Sequence, residues 1–301
     1  MSVSGGNEHS EAKLGVAAGL IAYSLWGVFP VYFKIVESVA PTEVLAHRIV
    51  WAVPFGALIL LFRHQWPEVR RAMAHRVMLS WLGLSALCIT VNWFIYIWAV
   101  QNERIFETSL GYYINPLVYV FVGVLFFGEK LRSLQLAAVV FASVGVLVLT
   151  ISGGAFPWVA ISLAVFFTAY GVIRKRVVIG AMPGLFVETV LLFPFAIVWM
   201  AWLLVAGQAS FGTQDISLAF LLLAAGPITV VPLLLFAVAA RRLPLTTVGF
   251  MQFLAPTLQF LTGVYYGEKL TTAHMICFGL IWIAVALFST DAIRASKRSQ
   301  S

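Results

Sequence analysis

Ten stretches of 18 to 25 mostly apolar residues follow one another along this chain, at approximately 14–34, 43–62, 77–100, 105–127, 133–151, 156–173, 184–206, 216–240, 245–266 and 272–290. A helix needs about 20 apolar residues to cross the hydrocarbon of a bilayer, and within it every backbone polar group must be satisfied internally. The pattern predicts an all-α polytopic membrane protein with ten transmembrane helices. The chain is 61% hydrophobic and 10% charged, against roughly 25% charged in a soluble domain. Too little polar surface exists to cover it in water.

The net charge of +7 raises nucleic acid as a partner, and the placement of the basic residues argues against it. With a cytoplasmic N-terminus, fifteen fall in inside segments: Lys13, Arg63, Arg70, Arg71, Arg76, Lys130, Arg132, Arg174, Lys175, Arg176, Arg241, Arg242, Arg294, Lys297 and Arg298. Lys34, Arg104 and Lys269 fall outside, and Arg48 lies within a span. This asymmetry is a topology signal that predicts both termini in the cytoplasm. Residues 1–13 and 291–301 read as cytoplasmic tails, the first without a cleavable signal. Cys88 and Cys277 sit in apolar runs and read as packing residues, with no spacing for a disulfide framework or a metal site. No cofactor is expected.

The halves are related. Gly-Glu-Lys-Leu occurs at Gly128–Leu131 and again at Gly267–Leu270, and Pro116 and Pro256, which precede the two copies, are 140 positions apart. Arg48 and Glu188 keep the same offset, each six residues before a proline, Pro54 and Pro194. Five spans per half is an odd number, so the second half enters the membrane the other way up. Residues 14–151 and 152–290 are therefore expected to form two inverted five-helix repeats, with a site at their interface. The tetrapeptide itself reads as an architectural mark, its glycine ending a helix and its charges meeting headgroups.

Seven prolines lie in apolar runs: Pro30, Pro54, Pro116, Pro194, Pro227, Pro232 and Pro256. Each removes a backbone donor and kinks its helix, while Gly27, Gly111, Gly171, Gly249 and Gly263 allow close helix approach. Spans that must bend between two states account for both features.

Ionisable groups in a span are costly and need a partner or water. Arg48 lies seven residues beyond Pro41, about 10 Å from the external end; Glu188 lies five beyond Pro183, about 8 Å from the cytoplasmic end. In a core of roughly 30 Å about 12 Å separates them along the normal. They read as flanking a central chamber, Arg48 attracting a carboxylate or other anion and Glu188 exchanging protons. The bland alternatives are an arginine that snorkels to the headgroups and a glutamate paired with Arg174, Lys175 or Arg176. His47 could titrate, but it points away from its neighbour on a helix. Asn92, Trp93, Tyr96, Tyr112, Tyr113, Asn115, Gln252 and Gln259 supply amides and rings for a chamber that would hold a small amphipathic molecule.

The runs Leu45-Ala-His-Arg-Ile-Val-Trp51, Val91-Asn-Trp-Phe-Ile-Tyr-Ile-Trp-Ala-Val100 and Ser109-Leu-Gly-Tyr-Tyr-Ile-Asn-Pro-Leu117 resemble those of RarD proteins. So do Tyr170-Gly-Val-Ile-Arg-Lys175 and Gly184-Leu-Phe-Val-Glu-Thr189. RarD proteins belong to the EamA branch of the drug/metabolite transporter superfamily. The resemblance covers residues 14–290 in order and adds Tyr170 to the candidate residues. It implies two inverted EamA repeats in a bacterial inner membrane and relatives that export amino acids and metabolites. The second half departs from the first around Gly249, which weakens transfer of a pocket to the ninth span.

No catalytic constellation and no ATP-binding loop is visible, so transport must draw on an ion or substrate gradient. A secondary exporter working by alternating access, with protons as a candidate coupling ion, is the leading expectation. A channel would require stacked polar rings, and a membrane enzyme or lipid-handling protein would require acidic pairs facing a loop. The expected partners are a small-molecule substrate, protons and membrane lipid.

Overall fold

The computed structural model describes residues 4–127, 131–152, 156–212, 216–243 and 245–298. Gly128, Glu129 and Lys130 of the first Gly-Glu-Lys-Leu copy lie outside them. The described chain is helical throughout. Its elements are α1 (Ser4–Gly27), α2 (Phe29–Ile35), α3 (Pro41–Phe62), α4 (Trp66–Ala74), α5 (Arg76–Gln101), α6 (Ile105–Phe127) and α7 (Ser133–Ser152). They continue with α8 (Trp158–Lys175), α9 (Ala181–Val205), α10 (Ile216–Arg242), α11 (Leu245–Met251), α12 (Leu254–Tyr265) and α13 (Thr272–Arg298).

Among the described residues, eight helical stretches are long and apolar enough to cross a membrane, the first being α1 and α2 together over Glu11–Ile35. Large apolar side chains such as Ile151, Phe195 and Val205 remain exposed on their outer faces, as a lipid solvent permits. The chain is thus an all-α polytopic membrane protein.

Proline chemistry explains where two expected runs divide. The first breaks at Val28, two residues before Pro30, and the ninth breaks at Gln252 and Phe253, just before Pro256. A proline inside a helix loses one hydrogen bond and clashes with the carbonyl four residues back; here the ladder stops instead. Pro54, Pro116, Pro194, Pro227 and Pro232 stay inside continuous helices. The short helix α4 was not expected from hydropathy. It buries Val69 and Ala72 and exposes Arg70 and Arg71, an amphipathic pattern suited to an interface.

The principal packing pairs are α7 with α13, α1 with α10, α5 with α8, α3 with both α9 and α10, α6 with both α8 and α12, α1 with α12, and α5 with α9. Exchanging α1 with α8, α3 with α9, α5 with α10, α6 with α12 and α7 with α13 carries this set of pairs onto itself.

Glycines make the tightest contacts possible. A Cβ at Gly111 would lie 2.8 Å from the Ala160 carbonyl oxygen, one at Gly27 2.6 Å from Leu258 Cβ, and one at Gly226 would fall on the Trp51 carbonyl. Among the described residues nothing crowds Gly249.

Candidate functional site

The helix α3 carries Glu43, His47 and Arg48 in its first two turns, and each is buried. Arg48 is only 3% exposed. Its Nε donates to Thr229 Oγ1 of α10 at 3.1 Å, and its guanidinium carbon lies 4.5 Å from the centroid of Trp93, 5.5 Å from Phe33 and 5.9 Å from Phe29. Such ring faces attract a cation, by about 2 kcal/mol or more when desolvated. The phenols of Tyr32, Tyr112 and Tyr96 complete the surroundings.

His47 turns the other way. Its Nδ1 accepts from Trp51 Nε1 at 2.9 Å, so the neutral ring carries its proton on Nε2, which is 4.0 Å from Glu43 Oε1. Glu43 in turn accepts from the amides of Ser210 and Phe211 at 2.7 and 3.0 Å, tying the loop after α9 to the start of α3.

Glu188, in α9, is 1% exposed. Ser85 Oγ of α5 lies 2.5 Å from its Oε1, the Tyr170 hydroxyl 3.5 Å from its Oε2, and Arg174 Nε 3.7 Å from Oε1. The arginine at the end of α8 thus stands beside this carboxylate, and the structure also brings Tyr170 to it. A second carboxylate contact closes the same face: Glu68 of α4 accepts from the amide of Gly180, which precedes α9, at 3.0 Å.

Between these charges runs a layer of amides and rings. Asn92 Nδ2 donates to the Leu163 carbonyl at 3.0 Å, and its Oδ1 accepts from Tyr112 at 3.3 Å. Tyr112 and Tyr96 pack with ring centroids 5.8 Å apart. The Tyr96 hydroxyl is buried, with the Thr108 hydroxyl beside it. One turn further along α6, Asn115 Oδ1 accepts from Thr168 at 2.8 Å.

A cavity of about 620 Å³ begins at that asparagine. It is lined by Asn115 and Tyr119 of α6, Val172, Lys175 and Arg176 at the end of α8, and Gln252 at the α11–α12 break, among others. The size is within the range of ligand pockets. Of the residues the sequence singled out, Asn115 and Gln252 are among its lining; Arg48, Glu188, His47, Asn92, Trp93, Tyr96, Tyr112, Tyr113, Tyr170 and Gln259 are not. Tyr113 shares a 2.6 Å hydrogen bond with Thr257, and Gln259 donates to the Trp26 carbonyl at 3.2 Å.

The other end of α6 is packed shut. Ser109 donates to the Pro256 carbonyl at 2.7 Å, and Phe106 packs edge to face or tilted on Phe260 and Phe278. Both carboxylate oxygens of Glu268 accept from the Phe106 amide, at 3.3 and 3.2 Å. Gly267 before it, at φ +73°, takes the left-handed conformation that ends α12. Burial pushes the Glu268 carboxyl up to about 7; amide hydrogen bonds from Phe106 and Ile105 oppose this, and the nearby Glu107 and Glu103 reinforce it.

Sequence reasoning missed Ser85 and Thr229, the hydroxyls that meet the two buried charges. Each is an unremarkable residue in an apolar run, and each comes from a helix distant in sequence. It also missed the capping role of Glu268, because a terminal charge reads first as a headgroup contact.

Long apolar helices with exposed apolar outer faces, packed around buried charged side chains, define a multi-pass membrane protein. Comparison with known proteins narrows this. Residues 13–151 match the EamA-like transporter family. An uncharacterised transporter of Pseudomonas aeruginosa is 44% identical over 290 residues, covering 95% of this chain and 96% of that one. Protein RarD of Escherichia coli K12 is 40% identical, covering 96% and 98%. The chloramphenicol-sensitive protein RarD of Pseudomonas aeruginosa is 32% identical, covering 94% and 96%. A solved crystal structure of a protein matches at a TM-score of 0.59 and 21% identity, over 91% of this chain and 96% of that one, and bears on the fold alone. The chain belongs to the EamA-like transporter family, among its RarD-like members. It is a membrane transporter and not an enzyme.

Proposed function

We propose that this transporter is a secondary carrier that exports small amphipathic metabolites, amino acids or drug-like molecules by alternating access across a bacterial inner membrane. In this reading ten spans form two inverted repeats, residues 14–151 and 152–290, with both termini cytoplasmic. The exchange of packing partners between the halves supports the repeat. The excess of Lys and Arg in one set of loops supports the orientation.

The observation that carries the reading is the unequal state of the two ends of α6. From Asn115 to Val122 it lines a 620 Å³ cavity beside Lys175 and Arg176, while from Ile105 to Gly111 it is closed by Glu268, Pro256 and Ala160. Two halves with matching packing pairs need not hold this asymmetry permanently. A carrier reverses it, closing the basic face and opening the other. Arg48 and Glu188, Asn92, Trp93, Tyr96, Tyr112 and Tyr170 then form the region between the two gates, and Glu188 serves as the proton site.

A thermal-stabilisation screen of the purified protein identifies a ligand, and its uptake into inverted vesicles tests export. Uptake is expected to rise with an imposed proton gradient and to fall when a protonophore collapses it. Uptake indifferent to the gradient removes the coupling from the account.

A further inference from the structure

The guanidinium of Arg48 is left half-engaged. Nε is held by Thr229, which leaves both Nη nitrogens without a protein acceptor among the described residues, and none of the ion pairs among those residues involves Arg48. The buried carboxylate on the same helix, Glu43, is turned to the amides of Ser210 and Phe211. An arginine this deep without a counter-anion is expensive. Ring contacts with Trp93, Phe33 and Phe29 offset part of that cost and supply no acceptor.

We infer that Arg48 is the anchor for a small monocarboxylate with an apolar body. This deepens the carrier reading by naming its substrate class, and so rests on it. Arginine binds carboxylates through paired parallel N–H bonds. With Nε committed to Thr229, the free pair is the two Nη groups, which meet a carboxylate end-on. The buried Tyr96 hydroxyl is a further donor in the same enclosure; Thr108, beside it, gives its own proton to the Ile105 carbonyl and offers Tyr96 only an acceptor oxygen, which a carboxylate would replace. A single cation among rings suits one negative charge, not the two of a phosphate monoester. The apolar body finds Phe29, Phe33 and Trp93 as walls.

The same geometry separates monocarboxylates from α-amino acids. Glu188 is bonded to Ser85, and Arg48 rests on Trp93, eight residues further along α5, which is about 12 Å of helix. An ammonium one carbon from the carboxylate cannot reach Glu188 while the carboxylate holds Arg48. Arg48 and its ring neighbours do not line the cavity; in this proposal a ligand reaches them when Tyr112, one turn before Asn115 on α6, leaves its bond to Asn92.

The test is thermal unfolding of the purified full chain in detergent with 3-phenylpropanoate, its amide, phenylalanine, or sodium chloride at equal ionic strength. The acid is expected to raise Tm in a saturable way, phenylalanine to do so more weakly, and the amide and chloride not at all. Arg48→Gln is expected to weaken the response to the acid at least tenfold. Arg48→Lys, which keeps the charge but loses the fork, and Tyr96→Phe are each expected to weaken it severalfold, so the test stands even if Arg48→Gln does not fold. Equal shifts with acid and amide, a chloride shift matching the acid, or an unchanged response in these variants would overturn the assignment. Binding is read without transport. Failure here beside carrier behaviour for another compound refutes only the site, whereas binding without carrier behaviour refutes the carrier.

Discussion

Ser85 on α5 holds the carboxylate of Glu188 at 2.5 Å, just as Thr229 on α10 holds the guanidinium of Arg48 at 3.1 Å. The exchange of packing partners carries α3 to α9 and α10 to α5, so the two contacts join corresponding pairs of helices. Both hydroxyls also lie within hydrogen-bond distance of a carbonyl in their own helix, Leu82 for Ser85 and Ala225 for Thr229. The Ser85 proton can serve only one acceptor at a time, so loading a proton on Glu188 frees Ser85 to turn back to Leu82.

That arrangement predicts separable effects. Glu188→Gln is expected to abolish the pH dependence of substrate uptake into inverted vesicles, and an unchanged pH profile sinks the proton role. Ser85→Ala is expected to lower stability by about 1.5–3 kcal/mol, the loss of a hydrogen bond to a charged group, read as a drop in unfolding temperature. No drop means that the contact contributes nothing.

Glu268 predicts a pH dependence of stability. Its carboxyl, raised to about 7 in the folded protein, holds a proton in a range where the unfolded chain, titrating near 4.5, has released it. The folded state then binds more protons than the unfolded one, so this group's contribution falls as pH rises from about 4.5 to 7 and is level outside that window. Glu268→Gln keeps an acceptor for the Phe106 amide and removes the charge. Thermal unfolding across that range is expected to show a flatter profile for the variant; parallel profiles contradict the shift.

Much of the fold was legible because lipid imposes length and apolarity on every span. The break before Pro256 was also available in the sequence, since a proline there could equally kink a continuous run or start a new helix. The register that links Arg48 to Glu188 came from a repeat offset, which survives divergence better than side-chain identity. Their partners did not come with it. Ser85 and Thr229 are common in apolar helices, and only the packing of α5 on α9 and of α10 on α3 brings them to the charges. Likewise Gln259, read from the sequence as a chamber amide, donates to the Trp26 carbonyl beside the α1–α2 break, a contact that no spacing announced.

Close backbone approach gives a further test. A methyl at Gly226 would fall on the Trp51 carbonyl, where backbone cannot move aside as a flexible side chain can. Gly226→Ala is expected to cost about 1–3 kcal/mol by overpacking, and to lower the unfolding temperature. Gly249→Ala, with open space around it, is the control and should be nearly neutral.

The central claim, that this is a carrier whose two gates open in turn, is tested most directly by counterflow. Proteoliposomes are loaded with unlabelled ligand and diluted into a trace of labelled ligand with no ion gradient. A carrier accumulates label above its equilibrium level before decaying to it, because each return of the site is coupled to exit of unlabelled ligand. That transient overshoot is the predicted result. A monotonic approach to equilibrium, at rates that never saturate, would contradict the account and describe a pore.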